Sequence, residues 1–260
     1  MAAIKTLAFV VKTQDYRDTS LLATFYTRDM GKLKAVVKGG RDGRYRYGST
    51  LEPFSLNEIL VHRRRRGDLH LVTGAELLEG YGSIRADLER LGLAVYFLEL
   101  IDQLIDDGEP HVEVFSLLEE SLHHLGTSED PRLVCRIFEI GLIGHLGLMP
   151  ELARCVRCGS PSTAPIYFSV PSGGVLCDPC RRKGGEYAFL VPRGVSDFLD
   201  RARKEKFAFS SGAALEPAVL GKVEKILRPF IDFHLHHKPR SLIFLEKIKS
   251  AGKVQDPVTP

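Results

Sequence analysis

No apolar run in this 260-residue chain approaches the roughly 20 residues that a bilayer span needs; stretches such as Leu7–Val11 are among the longest. No basic start followed by a long apolar stretch opens it, so no secretory signal is expected and the cytoplasm is the expected compartment. The glycine-rich Gly39-Gly40-Arg41-Asp42-Gly43 is not closed by Gly-Lys-Ser/Thr, which excludes a nucleoside-triphosphate loop of that type. A nucleophile elbow, a His-Glu-x-x-His pair and two carboxylates set out as acid and base are all missing. A DNase or ligase-like enzyme would need a metal-binding carboxylate cluster or a nucleotide-binding lysine motif, and neither is visible, so no enzyme is expected. There is no internal repeat.

Apolar residues make up 44% of the chain and charged residues 27%, enough apolar surface to offset the entropy of ordering a globular fold. The net charge of +3 conceals an uneven distribution. Residues 1–82 hold 14 basic and 9 acidic residues, residues 83–150 hold 4 and 13, and residues 151–260 hold 18 and 11. A basic, acidic, basic succession points to domains with different partners.

The first segment reads as strands. Ile4–Lys12, Ser20–Arg28, Leu33–Lys38, Leu51–His62 and Asp68–Glu76 are rich in branched and aromatic residues, with turn residues between them. Five short strands cannot cover both faces of an open sheet, which predicts a small closed barrel over residues 1–82. From Ser83, a good N-cap, the apolar period becomes helical through Ile84, Leu88, Leu91, Val95, Leu98, Ile101 and Ile105. Helices opening at Pro110 and at Asp130-Pro131 complete an expected helical domain, 83–150. Residues 151–190 lose both periods and need another source of cohesion. Helical spacing returns over Pro192–Lys206 and Pro217–His236, with a short helix after Pro239. Residues 191–250 are therefore expected to pack with the helical domain, and 251–260 to form a tail. The expected class is α+β and multidomain.

The sharpest motif is Cys155-Val156-Arg157-Cys158 with Cys177-Asp178-Pro179-Cys180. Two C-x-x-C pairs, 18 residues apart, have the spacing of a four-cysteine zinc site. Two residues between thiolates let both reach one ion from a tight turn, and four soft ligands satisfy tetrahedral zinc. Such a closed shell is structural, since no position is left for substrate. A redox pair would need only one C-x-x-C, and disulfides do not suit a reducing compartment. Cys135, within a helical run, reads as a small buried residue. His123-His124 and the cluster His234, His236 and His237 read as polar helix ends.

A second signal is basic. Lys32, Lys34, Lys38, Arg41, Arg44 and Arg46 are interleaved with Tyr45 and Tyr47, and Arg63, Arg64, Arg65 and Arg66 are consecutive. On a barrel these fall on strand ends and connections, where they can follow a phosphate backbone while tyrosines offer stacking faces. An RNA-binding zinc-ribbon protein of the translation apparatus would share these two signals, so the residues alone leave DNA against RNA open.

Several stretches also resemble the bacterial RecO family of recombination mediators and DNA repair proteins. They are Tyr16 to Leu22, Thr27 to Gly31, Lys38-Gly39-Gly40-Arg41, Leu51-Glu52-Pro53-Phe54 and Tyr96-Phe97-Leu98-Glu99-Leu100. Leu146 to Pro150, Gly173 to Cys177 and Lys238 to Leu245 continue the match in order. The resemblance implies an N-terminal OB-fold, a helical domain and a zinc-ribbon-like insertion. It further implies binding of single- and double-stranded DNA, annealing without ATP, and action with RecR to load RecA onto strands coated by single-strand-binding protein. The acidic C-terminal tail of that protein is an implied partner, and the implied location is with the nucleoid. The family's DNA-binding role carries over to Lys38, Arg41, Arg44 and Arg46, whereas Arg63–Arg66 rests on charge alone.

Overall fold

The computed structural model describes residues 3–39, 51–63, 69–161, 166–192, 194–211 and 217–252. It divides into two compact units, residues 1–127 with 239–260, and residues 128–238.

The first unit is built on strands β1 (Ala3–Tyr16), β2 (Ser20–Thr27), β3 (Gly31–Val37), β4 (Leu56–His62) and β5 (Leu69–Glu79), closed in the order β1-β2-β3-β5-β4. All neighbours are antiparallel except β3 and β5. This is a five-stranded barrel of the OB type. Alternation along the strands turns Ala8, Val10, Ala23, Phe25, Leu33, Ala35, Ile59, Val61 and Val72 into one buried core. The expected fourth strand begins five residues late. Residues 51–55 instead form an irregular turn in which Phe54 takes a positive φ of 56° and is buried, with the Arg85 guanidinium 4.1 Å from its ring centroid. Arg85 also donates to Pro53 O and Gly80 O, so a distant cation holds the turn.

Helices α1 (Gly82–Arg85), α2 (Leu88–Leu104) and α3 (Val112–Thr127) follow. The continuous helix expected from Ser83 is broken: Asp87, not Ser83, is the N-cap of α2, its carboxylate accepting from Arg90 N. Phe115 of α3 packs on the outward rings of Phe9 and Tyr26, with centroids 5.0 and 6.0 Å away. At Gly31, which has φ +67°, a Cβ would lie 2.2 Å from Glu109 O, so only glycine permits β3 to start there.

The second unit contains α4 (Pro131–His145), the small sheet of β6 (Ile166–Ser169), β7 (Gly174–Cys177) and β8 (Phe189–Leu190), and the helices α5 (Asp178–Gly184), α6 (Val195–Glu205) and α7 (Pro217–His234). Both α6 and α7 pack on α4, and Phe168 of β6 stacks edge-on to Phe230 at 5.8 Å. The last described helix, α8 (Arg240–Gly252), returns to the first unit and packs on α2. Glu99 caps it by accepting from Arg240 N at 3.1 Å and Ser241 N at 3.0 Å. Leu245 fills the space where a side chain at Gly92 would be. The helices of 191–250 pack on helices of 83–150, but the contacts fall in two groups: α6 and α7 on α4, together with the four-cysteine segment, and α8 on α2, in the unit that holds the barrel. No helix among the described residues is long and apolar enough to cross a membrane.

Candidate nucleic-acid interface and metal centre

The basic residues separate by what lies over the strand. Along β3, Leu33, Ala35 and Val37 point into the barrel core, so Lys32 and Lys34 share the outward face. The α2–α3 connection crosses that face at Lys32 and covers this lysine. Its side chain is 8% exposed, and its ammonium lies 3.6 Å from Asp102 Oδ1 and 3.3 Å from Asp107 Oδ1, besides donating to Asp102 O. Lys32 was expected on the DNA surface; it is instead the cation of a carboxylate clasp. Gly108 N donates to Lys32 O at 2.8 Å, closing the backbone of the same contact. Lys34 is half-exposed and 3.3 Å from Asp107, and Lys12 reaches Asp102 at 2.7 Å. Partial burial works to raise the Asp107 pKa, but the charge of Lys32 and hydrogen bonds from Lys34 and Lys32 outweigh it and hold the carboxyl below its ordinary value. Sequence reasoning missed Asp102 and Asp107 because acidic residues near a helix end look like ordinary solvated surface.

Lys38 and Arg63 are exposed. Arg41, Arg44 and Arg46, and Arg64, Arg65 and Arg66, lie outside the described residues. The strands that lead into both basic stretches are described. Val37, the last residue of β3, pairs with Val72 of β5, and His62, the last of β4, pairs with Leu71. The two strands flank β5 and end at one level, running in opposite directions along it. Adjacent strands are about 4.8 Å apart, so the two basic connections are rooted about 10 Å from each other on the barrel wall.

The four cysteines also converge. Cys155, Cys158, Cys177 and Cys180 have all their sulfurs within 4.8 Å of one another, and none is in a disulfide. The first pair sits on a turn closed by Gly159 N to Cys155 O at 2.8 Å, and Val156 N donates to Val175 O, tying that turn to β7. The second pair spans the end of β7 and the first turn of α5. Sulfurs about 2.3 Å from one tetrahedral ion lie about 3.8 Å apart. Cys158 Sγ and Cys177 Sγ are 3.8 Å apart. Burial pushes the Cys155 thiol up, but backbone N–H groups around it prevail and bring it down to about 6. Cys180 is pushed up to about 12 by its contact with Cys177, by burial and by the other two thiols. One thiol ionises readily and another resists, which is the charge accumulation that a bound cation relieves. The donor set therefore fits a soft or borderline metal ion held by four thiolates. Arg157 braces the site, donating to Cys180 O at 3.0 Å and pairing with Glu186.

Cys135 stands apart in α4, buried beside Arg136 and Glu139, and burial pushes its thiol up to about 11. That agrees with an inert core residue.

Family models describing the N-terminal and the C-terminal parts of recombination protein O match residues 1–81 and 85–243. The chain belongs to the RecO family. Among similar RecO proteins, the one named DNA repair protein RecO from Anaeromyxobacter sp. (strain K) is 32% identical over 249 residues, covering 95% of this chain and 98% of its own. Its namesake from Desulforamulus reducens is 30% identical, covering 95% of this chain and 96% of its own. That from Moorella thermoacetica is 32% identical, covering 92% and 89%. The boundary between the two RecO models, at residues 81–85, falls where β5 ends and α1 begins.

Proposed function

We propose that this RecO-family protein is a DNA-binding recombination mediator in DNA repair, which anneals complementary strands without ATP. In this reading it acts with RecR to load RecA onto DNA coated by single-strand-binding protein. The observation that carries the reading is that two basic connections, 38–46 and 63–66, spring from the two strands flanking β5 of an OB-type barrel, at ends about 10 Å apart. Lys34, Lys38, Arg41, Arg44, Arg46 and Arg63–Arg66 would neutralise phosphates while leaving bases free to pair, so annealing needs no hydrolysis. The acidic segment 83–150 would repel DNA and serve protein contacts, including RecR and the single-strand-binding protein. In the four-cysteine module the ion would be zinc, which holds the fold and takes no part in annealing. An RNA-binding role in translation gains no support, since both matching models describe recombination proteins.

The test is annealing of two complementary labelled oligonucleotides coated with single-strand-binding protein, without ATP, over a range of salt. Acceleration that fades as salt rises supports the reading. In the triple variant Arg41→Ala, Arg44→Ala, Arg46→Ala, both the acceleration and the salt slope of DNA binding should fall. An unchanged slope would place the DNA elsewhere.

A further inference from the structure

The second unit carries a surface that neither the metal centre nor the barrel uses. Between β8 and α7 lies a cavity of about 540 Å³, lined by Val170, Pro171, Leu190, Pro192, Ile226 and Pro229 with two aromatic rings and two lysines. Tyr187 is 83% exposed, an unusual placement for a large ring. Its ring is 6.5 Å from that of Phe189, which is 5.6 Å from the fully buried Phe168, which in turn meets Phe230. Tyr187 is therefore the open end of an aromatic ladder anchored in the core, and Phe189 is held in place beneath it.

The charge of the cavity has one sign. Among the described residues that line it, the charged ones are Lys222 and Lys225, which share a face of α7 at i, i+3 spacing, and none carries a carboxylate. Among the described residues neither lysine is ion-paired; both are exposed. Unneutralised cations beside an apolar, aromatic hollow select an anion that carries a flat apolar body. We propose that this groove binds single-stranded nucleic acid, with an unpaired base stacked on Tyr187 and its phosphates on Lys222 and Lys225. A duplex keeps its base faces inside the stack, so the site would discriminate for single strands. A glutamate-rich peptide would satisfy the lysines equally; the open ring face of Tyr187 is what favours a planar base. The choice of nucleic acid rests on the DNA-binding reading, but the site is a second contact, on a different unit from the barrel.

The test uses the full chain and an oligothymidylate carrying iodouracil, photo-crosslinked and mapped by mass spectrometry. Crosslinks to Tyr187 or Phe189 are expected. Tyr187→Ala should weaken oligothymidylate binding roughly five- to hundredfold, the range of one lost base stack, while Tyr187→Phe keeps the ring and the affinity. Replacing Lys222 and Lys225 with Ala should reduce the single-strand salt slope by about 1.4, and duplex binding should be unaffected by Tyr187→Ala. Because Tyr187 is exposed, equal thermal unfolding of wild type and variant serves as the folding control. Unchanged oligothymidylate affinity in Tyr187→Ala, with crosslinks elsewhere, would overturn the proposal. So would a glutamate-rich peptide whose binding depends on Tyr187 while the oligonucleotide's does not. If the Arg41, Arg44, Arg46 variant loses binding and Tyr187→Ala does not, this inference fails and the barrel reading stands. The reverse pattern supports this inference and removes the barrel reading.

Discussion

Lys32→Met separates a structural cation from a DNA-binding one. The ammonium is almost fully covered, and its loss would leave Asp102 and Asp107 without their shared partner. Breaking a fully buried ion pair costs about 3–5 kcal/mol. Here Asp102 is 26% and Asp107 46% exposed, so both carboxylates can recover water, and about 1–3 kcal/mol is the expected loss. For a unit of this size that corresponds to a melting temperature lower by roughly 2–12 °C. The Asp107 carboxyl is held below its ordinary value in the folded protein. Its contribution is therefore complete above about pH 4 and is lost as the pH falls through the lowered value, so wild type and variant should converge in acid. The assay is thermal and urea unfolding at several pH values, beside a salt titration of DNA binding. DNA affinity and salt slope should be those of wild type, whereas Lys38→Ala should reduce the slope by about 0.7–0.9 without a stability change. A Lys32→Met protein with wild-type stability and a reduced slope would refute the reasoning.

Gly31→Ala should destabilise the barrel unit by about 2–4 kcal/mol, combining the left-handed backbone with a clash against Glu109 O; denaturant unfolding measures it. Replacing Cys155 and Cys158 with Ser should release the metal and loosen 151–190, read by metal content and proteolysis of that segment. Full metal retention would refute the ligand assignment. After metal removal at neutral pH, thiols of the 155–180 cluster should react with a disulfide reagent in the folded protein, and Cys135 only on unfolding.

The features legible in the sequence were those with a local physical period. Alternation marked four of the barrel strands closely, and the C-x-x-C spacing marked the metal cluster, because two thiolates on one turn need few other residues to define them. Contacts between distant residues were not legible. Nothing near Lys32 announces burial, since a lysine in an alternating strand reads the same whether carboxylates or water lie above it. The period from Ile84 to Ile105 runs through the break at Asp87, which is a capping event rather than a change of apolar face. β6, β7 and β8 have four, four and two residues, too few to display alternation. The groove at Tyr187 depends on β8 meeting α7, a pairing with no local sign.

The return of α8 has a consequence for how the molecule comes into being. Glu99 and Ser241, which bond across α2 and α8, are separated by 142 positions. At a synthesis rate of about 5–20 residues per second, roughly 7–28 s pass between the translation of one and of the other. Throughout that interval the barrel hairpins can form from neighbours already made, while the Glu99 carboxylate and the slot at Gly92 stay bare. A nascent chain therefore presents an apolar helix face that its own later product covers, and the second unit must be threaded out in between. The first unit is thus completed last, by a piece translated after the second.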